Sequence, residues 1–204
     1  MYHIVCNFRK MSTTVQNKSD NLKSGHVYRT SELRQWSENP SRLARQWVQS
    51  GRLVPLGHGL YLAPTLGKFG PLPPENEALL NAFLGDSPWV LTGSTFWNAL
   101  GLGSTAVFSY PWVYNTKRTG TFELGGRTFL LRRTAFPIQP SPEWYAIDLL
   151  RNSESAGVPW ERLERHLKQA VTAGQFDREK LWDMALQFGT HAEQKAVKET
   201  LVSA

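Results

Sequence analysis

The sequence predicts an α+β protein in two parts. The first, at residues 12–66, reads as two short helices followed by a hairpin, and the second, at 72–204, as a small, mostly antiparallel sheet with C-terminal helices. Three observations predict this. Helical periodicity gives way to two strand-like runs around Gly57-His58-Gly59. A Pro- and Gly-rich stretch, "TLGKFGPLPPEN" at 65–76, reads as a boundary. After it, strand and turn signals alternate through 106–134 and four helical stretches follow.

A chain of 204 residues with 41% hydrophobic side chains has ample material for a packed core, and disorder is excluded as its general state. Its single cysteine, Cys6, cannot staple the chain, and no zinc-ligand spacing exists. A reducing cytoplasm fits best. No apolar run approaches the roughly 18–20 residues of a membrane span. The start "MYHIVCNFRKM" is too short and polar for a signal peptide, and residues 1–10 are set aside from fold reasoning.

Residues 12–24 are polar and only weakly periodic, with room for a short helix near 13–24. Gly25 then breaks the chain, and His26-Val27-Tyr28 reads as a brief extended piece. Thr30 and Ser31 are N-cap candidates for a helix carrying Leu33 and Trp36. Asn39-Pro40 starts the next helix, which runs over about 40–50 and stops at Gly51. Leu43 with Trp47, and Ala44 with Val48, form its apolar stripe, while Arg42, Arg45, Gln46 and Gln49 share most of the other side. "RLVPLG" and "GLYLAP" form the hairpin, and Pro55, lacking an N–H, belongs on an edge strand.

The positive charge is concentrated in this region. Of 23 basic and 17 acidic side chains, nine and three fall in residues 1–64, leaving 14 of each for the rest of the chain. The whole formal excess of +6 therefore sits in the first third. Such an asymmetry points to a module facing a polyanion, with phosphate first among them. A solvated basic face on a small cap domain is the plain alternative. Helix, helix and hairpin in this order match a winged helix-turn-helix, whose second helix enters a major groove. Arg and Gln are the side chains that make bidentate contacts to guanine and adenine edges. The candidate DNA-binding set is Arg29, Ser41, Arg42, Arg45, Gln46, Gln49, Arg52 and His58, with Arg52 and His58 positioning the phosphates.

In the second part, a helix is predicted at 75–84, a buried strand at 88–93, and a helix from Ser94 to Gly101. Strands are expected in "AVFSYPWVYNT", "KRTGTFEL" and "GGRTFLLRR", with Gly125-Gly126 as a hairpin turn. Helices follow from Pro142, Pro159, Asp177 and Thr190. Lys117, Arg118, Arg132 and Arg133 form a candidate second basic patch, for which a solvated strand edge is the commoner outcome. Six of the eight tryptophans fall here, mostly as core, with some available to anchor an interface.

Nothing points to catalysis. The five histidines show neither metal spacing nor an acidic partner pattern. "GLGS" at 101–104 lacks the remainder of a phosphate-binding fingerprint and reads as a turn after a helix. Ser94 lacks a nucleophile-elbow pattern. The expectation is a non-enzymatic chain with no cofactor, no metal and no membrane partner.

The segments "SGHVYRTSELRQW", "RLARQWVQSGRLVPLGHGLYLAP" and "STFWNALGLGSTAVFSYPWVYNTKRTGTFELGGRTFLLRR" resemble the AbiEi family of bacterial antitoxins and its close relatives, over most of residues 22–190. The resemblance implies an N-terminal winged helix that binds inverted repeats in its own promoter. It also implies a C-terminal domain that counters a nucleotidyltransferase toxin. Arg42, Arg45, Gln46 and Gln49 match the recognition-helix surface, and Arg52 and His58 the wing. The expected function is therefore an antitoxin-type transcriptional repressor, binding double-stranded DNA as dimers or cooperative pairs on paired half-sites. The alternatives are a protein-binding adaptor module and a stand-alone regulator with no toxin partner.

Overall fold

The computed structural model describes residues 22–203. The helix expected near 13–24 lies largely outside them, and Leu22–Ser24 are not helical. The chain is α+β and divides into two compact units. One runs up to Gly85 and includes Leu124–Gly126, and the other comprises Asp86–Glu123 and Arg127 onward.

The first unit begins with β1 (Val27–Arg29) and a single 3-10 turn (Glu32–Gln35), followed by α1 (Pro40–Gln49). Strands β2 (Val54–Gly57) and β3 (Leu60–Leu62) form the hairpin. All pairings in this three-stranded sheet are antiparallel, in the order β1-β3-β2, so β2 is an edge strand and Pro55 is exposed on it. The two residues between β2 and β3, His58 and Gly59, both have positive φ, at 50° and 74°, as a type I′ turn requires.

Helix α1 forms where the local signals place it. The Asn39 side chain accepts a hydrogen bond from the Arg42 N–H at 3.1 Å, and Pro40 occupies the first turn. Leu43, Ala44 and Trp47 are buried against Tyr28, Leu33, Leu53 and Ala63. Trp36 joins edge-on between Tyr28 and Trp47, with ring centroids 5.6 Å from each.

Two expectations for this unit are corrected. The helix carrying Leu33 and Trp36 is only the one 3-10 turn, and Ser31 makes no capping bond with its side chain. The Thr30 hydroxyl instead donates to the Gly59 carbonyl at 3.0 Å, and Glu32 accepts from the Arg29 N–H at 2.6 Å. The first residues of the expected helix are thereby tied to the hairpin and to β1. The boundary is also displaced. The Pro/Gly-rich stretch contains a small hairpin of β4 (Leu66–Gly67) and β5 (Gly70–Pro71), and α2 (Asn76–Leu84) belongs to the first unit rather than opening the second. Leu79, Leu80, Phe83 and Leu84 are all buried.

The second unit holds β6 (Trp89–Thr92), α3 (Ser94–Ala99), β7 (Trp112–Asn115), β8 (Gly120–Leu124, all but its last residue) and β9 (Arg127–Arg133). Helices α4 (Pro142–Arg151), α5 (Trp160–Thr172), α6 (Arg178–Phe188) and α7 (His191–Ser203) complete it. The sheet order is β6-β7-β9-β8. Strands β6 and β7 pair antiparallel, whereas β7 and β9 pair parallel, with Trp112 opposite Leu130 and Asn115 opposite Arg133. The sheet is thus mixed.

Only Trp112–Asn115 of the expected "AVFSYPWVYNT" run is strand. Residues before it are held by side chains. Asn98 donates to the Ala106 carbonyl at 2.8 Å, and Ser94 accepts from the Phe108 N–H at 3.2 Å. The core gathers Trp97, Trp112, Ile147, Leu149 and Leu150 with apolar residues of α5, α6 and α7. Ser141 and Asp177 cap α4 and α6, accepting from the N–H groups of Trp144 and Lys180.

Candidate functional site

Successive residues of an α-helix are rotated by about 100°, so Arg42, Arg45, Gln46 and Gln49 fall within an arc of roughly 100° on α1. All four are exposed. Leu43, Ala44 and Trp47 occupy the opposite arc and are buried. Ser41 is exposed beside the polar arc. Helix α1 carries no acidic residue. The result is a face of two guanidinium and two amide groups, fixed from behind by an indole that is 1% exposed. Arg34 adds an exposed cation in the 3-10 turn that precedes it.

The other residues of the candidate set sit elsewhere. Arg52 is half-buried just after the helix, where its N–H donates to the Trp47 carbonyl at 2.9 Å. His58 is exposed at the hairpin tip, with its ring 5.5 Å from that of Phe83 in α2. Arg29 is a correction. Its guanidinium donates to the carbonyls of Asn81 and Ala82 in the last turn of α2. Cations and donors at this end satisfy open carbonyls and complement the helix dipole. The Arg29 guanidinium thus caps α2. Arg29→Ala should lower the stability of the first unit by about 1.5–3 kcal/mol, the range for a charged hydrogen-bond donor. Denaturant unfolding checks this, and a change below 0.5 kcal/mol, taken as roughly the scatter of neutral surface substitutions, would remove the capping role.

The second basic patch is brought together only in part. Lys117, Arg118 and Thr119 turn back beside the end of β9. The Lys117 and Arg118 N–H groups donate to the Asn115 side-chain oxygen at 2.8 and 2.6 Å, and the Arg133 N–H donates to the Thr119 hydroxyl at 3.1 Å. Lys117 and Arg133 are exposed and Arg118 is half-buried. Arg132 is committed inward. Its guanidinium lies 4.0 Å above the Trp112 ring and donates to the Asn152 side-chain oxygen at 3.0 Å.

That contact leads to a buried polar cluster. Asp148, in α4, is 2% exposed. One of its carboxylate oxygens accepts from the Tyr114 hydroxyl at 2.7 Å and the Asn152 amide at 3.1 Å. The other accepts from the Trp97 indole N–H at 2.9 Å and from the Thr92 hydroxyl. Burial raises the Asp148 carboxyl above its ordinary range, with the hydrogen bonds from Thr92, Tyr114 and Trp97 opposing. Burial, then the charge of Asp148, pushes Tyr145 up to about 12. Four donors occupy roughly the four lone-pair sites of a carboxylate. Chemically the group acts as a tie from α4 to β6, α3 and β7. Among the described residues, no group of three or more His, Cys, Asp or Glu side chains could hold a metal ion. No helix there is long and apolar enough to cross a membrane.

No protein-family model matches the chain, and no curated protein matches it at a significant level. Among solved structures, the crystal structure of the RV2827C protein from Mycobacterium tuberculosis is similar. It has a TM-score of 0.54 and 14% sequence identity, over 93% of this chain and 75% of that one. At that identity the likeness is one of fold.

The Asp148 cluster was not anticipated from the sequence, although one signal was there. An acid stands between Ile147 and Leu149 in the helix "EWYAIDLLR", where the neighbours on both sides are core residues. A lone carboxylate in an apolar stretch announces buried donors elsewhere.

Proposed function

We propose that the first unit is a winged helix-turn-helix that binds double-stranded DNA, with α1 as its recognition helix and the β2–β3 hairpin as its wing. One observation carries the reading. Arg42, Arg45, Gln46 and Gln49 share the exposed face of an acid-free helix whose opposite face is buried. The element order supports it, because β1, a helical turn, α1 and a hairpin enclose a sheet ordered β1-β3-β2. The concentration of positive charge in residues 1–64 supplies the attraction to phosphate. The resemblance to AbiEi-type antitoxins extends the proposal. The chain is a transcriptional repressor of its own promoter, acting on inverted half-sites as a dimer or cooperative pair. Its second unit engages a cognate nucleotidyltransferase toxin.

The test is a mobility-shift titration with the duplex upstream of the protein's own reading frame. Arg45→Ala should weaken binding about 5- to 150-fold, as loss of a base-edge or phosphate contact does. Arg133→Ala should change it less than about twofold. Equal effects of the two substitutions, or no retention of the duplex at low salt, would overturn the reading.

A further inference from the structure

We infer that the exposed face of α1 reads a mixed-composition half-site, with guanines at its N-terminal turn and adenines at its C-terminal turn. This rests on the DNA-binding reading and deepens it by naming the bases. The argument starts from the order of side chains along the helix. Arg42 and Arg45 stand in the first two turns, and Gln46 and Gln49 follow. At a rise of 1.5 Å per residue, Arg42 to Gln49 covers about 10 Å of helix axis, or roughly three base-pair steps. The face is therefore long enough for three or four base pairs and no more.

The side chains also lie in two parallel rows. Arg42 and Gln46 form one, and Arg45 and Gln49 the other, each spaced i, i+4. Each row runs from a guanidinium to an amide. A guanidinium presents a planar fork of donors that matches the O6 and N7 acceptors of guanine. A Gln amide presents an N–H donor and a carbonyl acceptor side by side, which matches the N7 acceptor and N6 amino donor of adenine. No acid on α1 stands ready to accept from the cytosine amino group. The purines recognised are thus guanine at the Arg end and adenine at the Gln end.

The arrangement is held rigidly enough to discriminate. The Asn39 side chain fixes the first turn through the Arg42 N–H, and Trp47 anchors the opposite face. Backbone position is thereby set before any base is met, and only the outer side-chain bonds are left to order on binding.

The experiment is a selection of randomised duplexes by the full chain at about 0.15 M salt, followed by binding titrations on the selected site. Guanine is replaced by 7-deazaguanine, or adenine by 7-deazaadenine, one position at a time. Both replacements keep base pairing and remove the N7 acceptor. The expected motif contains guanine and adenine within four consecutive base pairs, and 7-deazaguanine weakens binding about 5- to 150-fold. Arg45→Ala should bind the ordinary duplex and the duplex with 7-deazaguanine at one guanine position equally, while keeping discrimination at the guanine facing Arg42. Gln46→Ala or Gln49→Ala should do the same for an adenine position. A selected motif lacking either purine, or indifference of the unsubstituted protein to both deaza bases while Arg45→Ala still weakens binding, would overturn base reading and leave phosphate contact alone. Failure to retain any duplex, even at 0.05 M salt, would overturn the DNA-binding reading and this inference with it.

Discussion

Replacing Asp148 by Ala should destabilise the second unit by about 3 kcal/mol or more, lowering its thermal midpoint by roughly 10 °C. The reason is the one-sidedness of the cluster. Tyr114 and Asn152 donate to one carboxylate oxygen, and Trp97 and Thr92 to the other. Removing the acceptor strands the Thr92, Trp97 and Tyr114 donors at once, while the Asn152 amide keeps the Asp148 backbone carbonyl at 2.8 Å. The Tyr114 oxygen still accepts from the Asn152 amide at 3.0 Å, but its O–H loses the acceptor it donated to. The Trp97 indole N–H, on a residue 0% exposed, has no such recourse. Asp148→Asn should cost less, since one oxygen remains and the hydroxyl facing the new amide, Thr92 or Tyr114, can turn to accept from it.

The same pair of proteins gives a pH test. Burial raises the folded-state value of Asp148 above the ordinary 3.8. A raised carboxyl contributes stability that is complete below the unfolded value and lost as pH rises through the folded one. The stability of the parent protein relative to Asp148→Asn should therefore fall as pH increases from about 4. Six of the eight tryptophans lie in residues 86–204, so indole fluorescence reports mainly this unit. A loss below 1 kcal/mol in Asp148→Ala, or a relative stability that rises with pH, would refute the account.

The second large effect is expected in the first unit. Trp47→Ala should cost about 3–5 kcal/mol, the range for truncating a buried aromatic side chain. Trp47 is 1% exposed and joins Leu43 and Ala44 of α1 to Tyr28, Leu33, Leu53 and Ala63. A unit this small has a correspondingly small margin of stability. Its cooperative unfolding transition should disappear at 25 °C, and any DNA binding through α1 should go with it. Trp47→Phe separates packing from polarity. The Trp47 indole N–H is buried and has no hydrogen-bond partner among the described residues, so phenylalanine forgoes only volume. It should cost clearly less than Trp47→Ala, in proportion to the smaller volume removed. Arg45→Ala completes the comparison, because an exposed side chain can be lost from the interface without any change in unfolding. The packing argument fails if Trp47→Ala keeps its unfolding transition within 1 kcal/mol of the parent.

The local elements were legible because their signals are local. Asn39-Pro40 and Gly51 bracket α1, and the observed Pro40–Gln49 follows them. The His58-Gly59 turn and the Gly125-Gly126 turn were likewise readable, since both need residues that tolerate positive φ. The 3-10 turn is shorter than its signals suggest. Thr30 and Ser31 offered capping chemistry, but the bonds of Thr30 and Glu32 went to Gly59 and Arg29 instead. The pattern of α2 is legible in the sequence but the unit it joins is not, because an apolar stripe does not state which neighbour will cover it.

Sequence by itself determined which residues form α1, which of its faces is apolar, and where the positive charge accumulates. All three follow from periodicity, capping and composition within a few turns of chain. Only the tertiary structure decided that Arg29 caps a helix more than 50 positions away, that β7 and β9 run parallel, and that Asp148 is buried against donors from three other elements. Those outcomes depend on which distant segments meet. A side chain's chemistry fixes what it can bond to, and the fold decides which partner comes within reach.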